Sequence, residues 1–158
     1  MLEINERFTD KGELLHEFAD EFLVVCPKCA AMAKVFPVEI GSEKISKKLL
    51  APRRVVCLNC AYFADWRGNT IWSGSNVDWY FRLPVWLQIS CCGENLWAYN
   101  LKHLEILENY VAAKLRERTK APRKSFLSKL PSWIKSAKNR REILKAIGKL
   151  KEKAETRV

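Results

Sequence analysis

The chain has 158 residues, of which 48% are hydrophobic, and carries six cysteines and a net charge of +10. This length fits one domain, or one domain with an appendage, and the apolar fraction suffices for a core. With no run of 18 apolar residues, no transmembrane helix is expected.

The opening stretch, "MLEINERFTDKGELLHEF", is acidic and amphipathic. It lacks the basic and apolar regions of a secretory signal, so the expected compartment is the cytoplasm. Thiols stay reduced there, and cysteines read as metal ligands or core residues before they read as disulfides. Charge is unevenly placed. Residues 1–100 hold 11 Lys/Arg and 12 Asp/Glu, whereas residues 101–158 hold 17 and 6. Such asymmetry points to a polyanionic partner, nucleic acid or an anionic membrane surface; the plainer reading is a solvated basic tail.

In chain order, residues 9–22 are expected to be helical. Thr9 or Asp10 caps the start, and Leu14, Leu15, Phe18 and Phe22 make one apolar face. Gly12 weakens the first turn. Residues 33–40 and 53–57 read as short strands, with Pro37 demoting the first to an edge or a broken strand. Residues 41–52 form a loop with room for one helical turn. Residues 61–66 and 70–73 predict a hairpin around Arg67-Gly68-Asn69. Further short aromatic strands follow at 77–83, 85–90 and 96–100.

At Asn100 the period changes. Asn100 is a good N-cap, and Leu104, Leu107, Val111 and Leu115 form a stripe along a helix of about 18 residues. Residues 119–131 read as a linker with two prolines. Ser132 caps a last helix running to about residue 153. Ile143, Ala146, Ile147 and Leu150 give it an apolar face, and Lys138, Arg141, Lys145 and Lys149 give it a basic stripe. The expected fold is α+β: a four-cysteine zinc ribbon with short antiparallel strands, an N-terminal helix and two C-terminal helices. The expected division is a ribbon domain over 1–118, then a linker and basic helix over 119–158.

One phrase is written twice: "VVCPKCA" at 24–30 and "VVCLNCA" at 55–61. Two thiolates three residues apart grip one metal ion from a tight turn, and two such knuckles complete a closed tetrahedral zinc site. Each copy is thus half of a site on Cys26, Cys29, Cys57 and Cys60. Each knuckle ends in Ala (Ala30, Ala61) where glycine often permits a left-handed turn. Buried free thiols, a redox pair and an iron–sulfur cluster are the alternatives. Cys91 and Cys92 are adjacent, and in an extended segment their side chains point to opposite faces. They are not expected to share one ion. A site made by Cys92 and His103 competes with plain packing for all three residues.

The segments "DWYFRLPVWLQISCCGENLWAYNLKHLEILENYV" and "LPSWIKSAKNRREIL", with the two cysteine pairs, resemble a family of uncharacterised bacterial proteins. That family is named for a zinc ribbon of the general-transcription-factor type, or as replication-restart-helicase-like. The resemblance spans most of the chain after about residue 20. It implies zinc on Cys26, Cys29, Cys57 and Cys60, and it marks "CCGENLWAYN" as a shared segment.

Two functions fit. The first is a non-catalytic module that binds DNA or RNA through Lys138, Arg141, Lys145 and Lys149, with Trp133 as the best candidate for an exposed stacking surface. The second is an adaptor that docks on a protein of the transcription or replication machinery. An enzyme is not expected: the sequence has no phosphate loop, no nucleophile triad and no open metal position. Binding of a membrane surface by residues 132–153 is disfavoured, because the apolar face of that helix is narrow.

Overall fold

The structure, a computed structural model, describes residues 7–38, 48–118 and 125–155. It is mixed α+β. Four strands make an antiparallel sheet in the order β2-β3-β4-β5: β2 (Phe22–Val25), β3 (Met32–Pro37), β4 (Arg53–Cys57) and β5 (Phe63–Trp66). β6 (Leu87–Cys91) and β7 (Glu94–Ala98) form a hairpin. β1 (Arg7–Asp10) pairs in parallel with β8 (Leu115–Arg118). The helices are α1 (Leu101–Ala112), the single turn α2 (Ser132–Lys135) and α3 (Arg140–Glu155). No helix among the described residues is long and apolar enough to cross a membrane.

Two apolar clusters meet at β2. Successive strand residues point to opposite faces. Leu23 therefore joins a cluster built on the β6–β7 hairpin, α1 and α3, while Phe22 and Val24 join a second one with Val35, Val55, Trp79 and Tyr99. Cys26 and Cys57 belong to the second cluster, so the cysteine pairs are anchored in packed sheet.

The expected N-terminal helix is absent. Residues 7–10 are strand and 15–18 a short 3₁₀ turn. Gly12 takes φ 83° and its N–H bonds to the Asp10 carboxylate at 2.9 Å, which turns the chain away from a helix. The helix-like spacing of Phe18 and Phe22 has another origin: the two rings fill different clusters. β3 is an interior strand, not an edge, and Pro37 sits at its last position. Lys48 and Leu49 are helical, and the rest of the 41–52 loop lies mostly outside the described residues.

The expected 61–66/70–73 hairpin does not form, because β5 pairs back on β4. Residues 77–83 are a turn rather than a strand. The buried Asp78 carboxylate accepts the N–H groups of Tyr80, Phe81 and Leu83 at 2.7–2.9 Å, and these bonds curl the aromatic run back on itself. The next strand starts only at Leu87.

Asn100 caps α1 as expected, accepting the His103 N–H at 2.9 Å. The helix stops after 12 residues, not 18. Arg140 bonds the Val111 and Ala113 carbonyls and Arg116 bonds that of Tyr110, so side chains satisfy its last turn. Leu115 lies in β8 and is exposed. Helix 132–153 is broken. Ser136 is extended, and the long helix begins only at Arg140. Of the expected linker, residues 119–124 lie outside the described residues, and Phe126 and Leu127 are buried in the first cluster.

Candidate metal centre

β2 and β4 deliver the two cysteine pairs side by side. Each pair closes a turn of the same design. The Ala30 N–H bonds the Cys26 carbonyl and the Ala61 N–H bonds that of Cys57, both at 2.9 Å. Cys26 N–H then reaches the Ala31 carbonyl, and Cys57 N–H that of Tyr62. Ala30 and Ala61 both sit at φ 64°, the left-handed conformation foreseen for the end of each knuckle. A side chain there costs about 1 kcal/mol.

The four sulfurs converge. Cys26 Sγ lies 3.7 Å from Cys60 Sγ, Cys29 Sγ lies 3.5 Å from Cys57 Sγ, and all four fall within 4.8 Å of one another. Cys26 and Cys57 are buried, whereas Cys29 and Cys60 are half-buried. Backbone and side-chain donors surround the sulfurs. Lys28 N–H points at Cys26 Sγ (3.4 Å) and the Asn59 amide at Cys29 Sγ (3.5 Å). That amide, with the Ala31 N–H, draws the Cys29 thiol down to about 6. The Tyr62 N–H acts the same way on Cys60, but burial and the three neighbouring sulfurs outweigh it and push that thiol up to about 12. A cation seated among the four sulfurs would favour their thiolate forms. The donor set can hold one metal ion.

Cys91 and Cys92 stand apart from this cluster, as expected. Their sulfurs do not point to opposite faces, however. They lie 3.5 Å apart, because Cys92 takes φ 55° in the two-residue turn of the β6–β7 hairpin. Cys91 is buried in the first cluster, and Cys92 Sγ meets the Glu142 carboxylate at 3.3 Å. Burial, Cys91 and Glu142 push the Cys92 thiol up to about 12. His103 is a buried packing residue that accepts the Tyr99 N–H on Nδ1.

The basic stripe is on the surface. All four cations are exposed, but they do not share one helix: Lys138 sits in the 3₁₀ turn Ala137–Asn139, and Arg141, Lys145 and Lys149 lie on α3, whose opposite side buries Ile143, Ala146, Ile147 and Leu150. Among the described residues no ion pair engages the four cations, unlike Lys151, which pairs with Glu108 at 2.6 Å. Trp133 differs from expectation: it is half-buried against the first cluster. The exposed tryptophan is Trp72, 58% accessible, with the Arg82 guanidinium 4.3 Å above its ring. The sequence does not reveal this pair, because Trp72 falls in the expected 70–73 strand of a hairpin that does not form.

No family model matches the chain, and no match appears among curated proteins or solved structures.

Proposed function

We propose that the chain is a zinc-stabilised, non-catalytic module that binds nucleic acid through the exposed row Lys138, Arg141, Lys145 and Lys149. Zinc is the metal the donor set favours. Four sulfurs at about 2.3 Å around one ion stand about 3.8 Å apart, close to the 3.5 and 3.7 Å separations here. A cluster of several irons would spread its thiolates across the cluster rather than gather them on one point. Four protein sulfurs fill a tetrahedral shell and leave no place for a reacting water, so the metal's role is structural.

The observation that carries the nucleic-acid reading is that α3 spends its apolar face on the body and leaves Arg141, Lys145 and Lys149 uncommitted, with Lys138 exposed just ahead of the helix. Phosphate contacts by such a row release counterions and are largely indifferent to sequence. The test is a salt titration with single-stranded and double-stranded DNA and RNA, and with anionic vesicles as a control. Changing all four residues to Gln is expected to weaken every nucleic acid alike and to flatten the dependence on salt. Unchanged affinity and slope remove the row from the mechanism, and absence of binding at moderate salt refutes the reading.

One observation favours a second reading, a protein-docking adaptor. Leu58 is 77% and Phe63 65% accessible beside the cysteine turns. Met32, Phe36 and Val56 extend this apolar strip along the outer face of the sheet. Loss of a partner in the Leu58→Asp, Phe63→Asp double variant, with nucleic-acid binding intact, would support it.

A further inference from the structure

A cleft of about 710 Å³ lies between the β6–β7 hairpin, α1 and the segment 126–134, away from the cysteine centre. Its volume falls in the range of small-molecule sites, about 300–1,000 Å³. The walls include Trp97, Leu107, Phe126, Trp133 and Ile134, with His103 among them.

His103 is the unusual member. It is only 3% accessible. Its ring is fixed on two sides, stacked on Phe18 and edge-on to Phe126, each at 5.2 Å between centroids. Nδ1 accepts the Tyr99 N–H at 3.0 Å, so the neutral ring carries its proton on Nε2. Among the described residues no hydrogen bond engages Nε2. Burial holds the imidazole down to about 4, which keeps it a neutral donor at physiological pH. Nε2 is not among the fully enclosed polar atoms that lack a partner, so its hydrogen stays open at the cleft that His103 lines.

We propose that this cleft binds a neutral, planar aromatic small molecule whose acceptor atom takes the Nε2 hydrogen of His103. The flat walls offered by Trp97 and Trp133 suit an aromatic ring, which prefers offset or edge contacts with other rings. The exposed Glu94 and Lys129 at the cleft carry opposite charges, so neither sign of ligand charge is favoured. The ligand is a free molecule and owes nothing to the basic row of α3.

The test uses the full-length, metal-loaded, ¹⁵N-labelled protein and three probes: benzamide, ethylbenzene (no acceptor) and cyclohexanecarboxamide (no planar ring). Benzamide is expected to shift the ring nitrogens of His103 and the indole N–H signals of Trp97 and Trp133 together and saturably. The other two probes should bind at least fivefold more weakly. Trp133→Leu, a half-buried position, should weaken benzamide at least fivefold, and His103→Gln should do the same if it folds. Absence of saturable shifts at these three residues overturns the proposal. So do equal affinities for all three probes, and so do shifts produced by a single-stranded oligonucleotide but not by benzamide.

Discussion

Cys29 and Cys57 hold their sulfurs 3.5 Å apart, although 27 residues lie between them in sequence. With all four sulfurs within 4.8 Å of one another, the cluster suits one shared cation. One zinc per chain is expected on elemental analysis after native purification. Structural zinc contributes about 10–16 kcal/mol in small domains, as much as the whole net stability of a typical protein, about 5–15 kcal/mol. Cys57→Ser should therefore abolish cooperative unfolding of the sheet, followed by near-UV circular dichroism. A zinc-free protein with an unchanged transition would contradict this.

The centre was legible because its chemistry is local. Two knuckles announce themselves by spacing, down to the left-handed Ala30 and Ala61. Two strands that flank them, β3 after the first knuckle and β4 before the second, were legible for the same reason: β-branched residues beside a turn. What could not be read was decided by side-chain partners that the hydrophobic pattern does not show, some near and some distant. Asp78 curls an aromatic run that looks like a strand. Arg140, 27 residues beyond Ala113, helps end α1. The N-terminal segment shows a helical period only because Phe18 and Phe22 serve two different cores. Trp133 stands at the start of a basic segment, yet its ring packs inward against the first cluster.

The adjacent thiols give a second test. Cys91 and Cys92 touch each other and Glu142, not the metal cluster. The double variant Cys91→Ala, Cys92→Ala should keep one zinc per chain. Its stability should fall by about 1–2 kcal/mol in urea, mostly from the buried Cys91. Loss of zinc with the fold intact would place these thiols in the metal site after all.

Asn100 makes three hydrogen bonds with one amide and ties α1 to the segment before β2. Its oxygen caps α1 at the His103 N–H, and its Nδ2 donates to the carbonyls of Phe18 (2.8 Å) and Glu21 (2.7 Å). Asn100→Ala removes the cap, worth about 1 kcal/mol, and leaves two carbonyls short of a donor, at about 1 kcal/mol each. A loss of about 2–4 kcal/mol in urea unfolding is expected, with zinc retained. A loss under 0.5 kcal/mol would mean that water replaces these bonds freely.

His103 sets a pH dependence with a definite sign. Burial lowers its pKa from 6.5 to about 4. Between those values the unfolded chain binds a proton that the folded chain does not. Stability is therefore full above pH 6.5, falls as the pH drops towards 4, and loses nothing further from this group below that. The total loss approaches about 3 kcal/mol. Comparing the chain with His103→Gln by urea unfolding between pH 7 and 4.5 isolates the effect. Parallel curves for the two proteins would show that the imidazole titrates normally.

Two lysines on one helix separate charge from contact. Lys145 is exposed, and no hydrogen bond or ion pair engages it among the described residues. Lys151 is half-buried and spends its charge on Glu108. Both carry the same charge, so a long-range attraction by net charge alone would treat their loss alike. Direct phosphate contact would not. Each phosphate neutralised contributes about 0.9 to the slope of log affinity against log salt on duplex DNA, and about 0.7 on single strands. Lys145→Gln is expected to lower the slope by about that amount. Lys151→Gln should leave the slope in place and cost only about 0.5 kcal/mol of stability, as a partly exposed ion pair does. Equal changes in slope for both variants would reduce the row on α3 to a diffuse positive field.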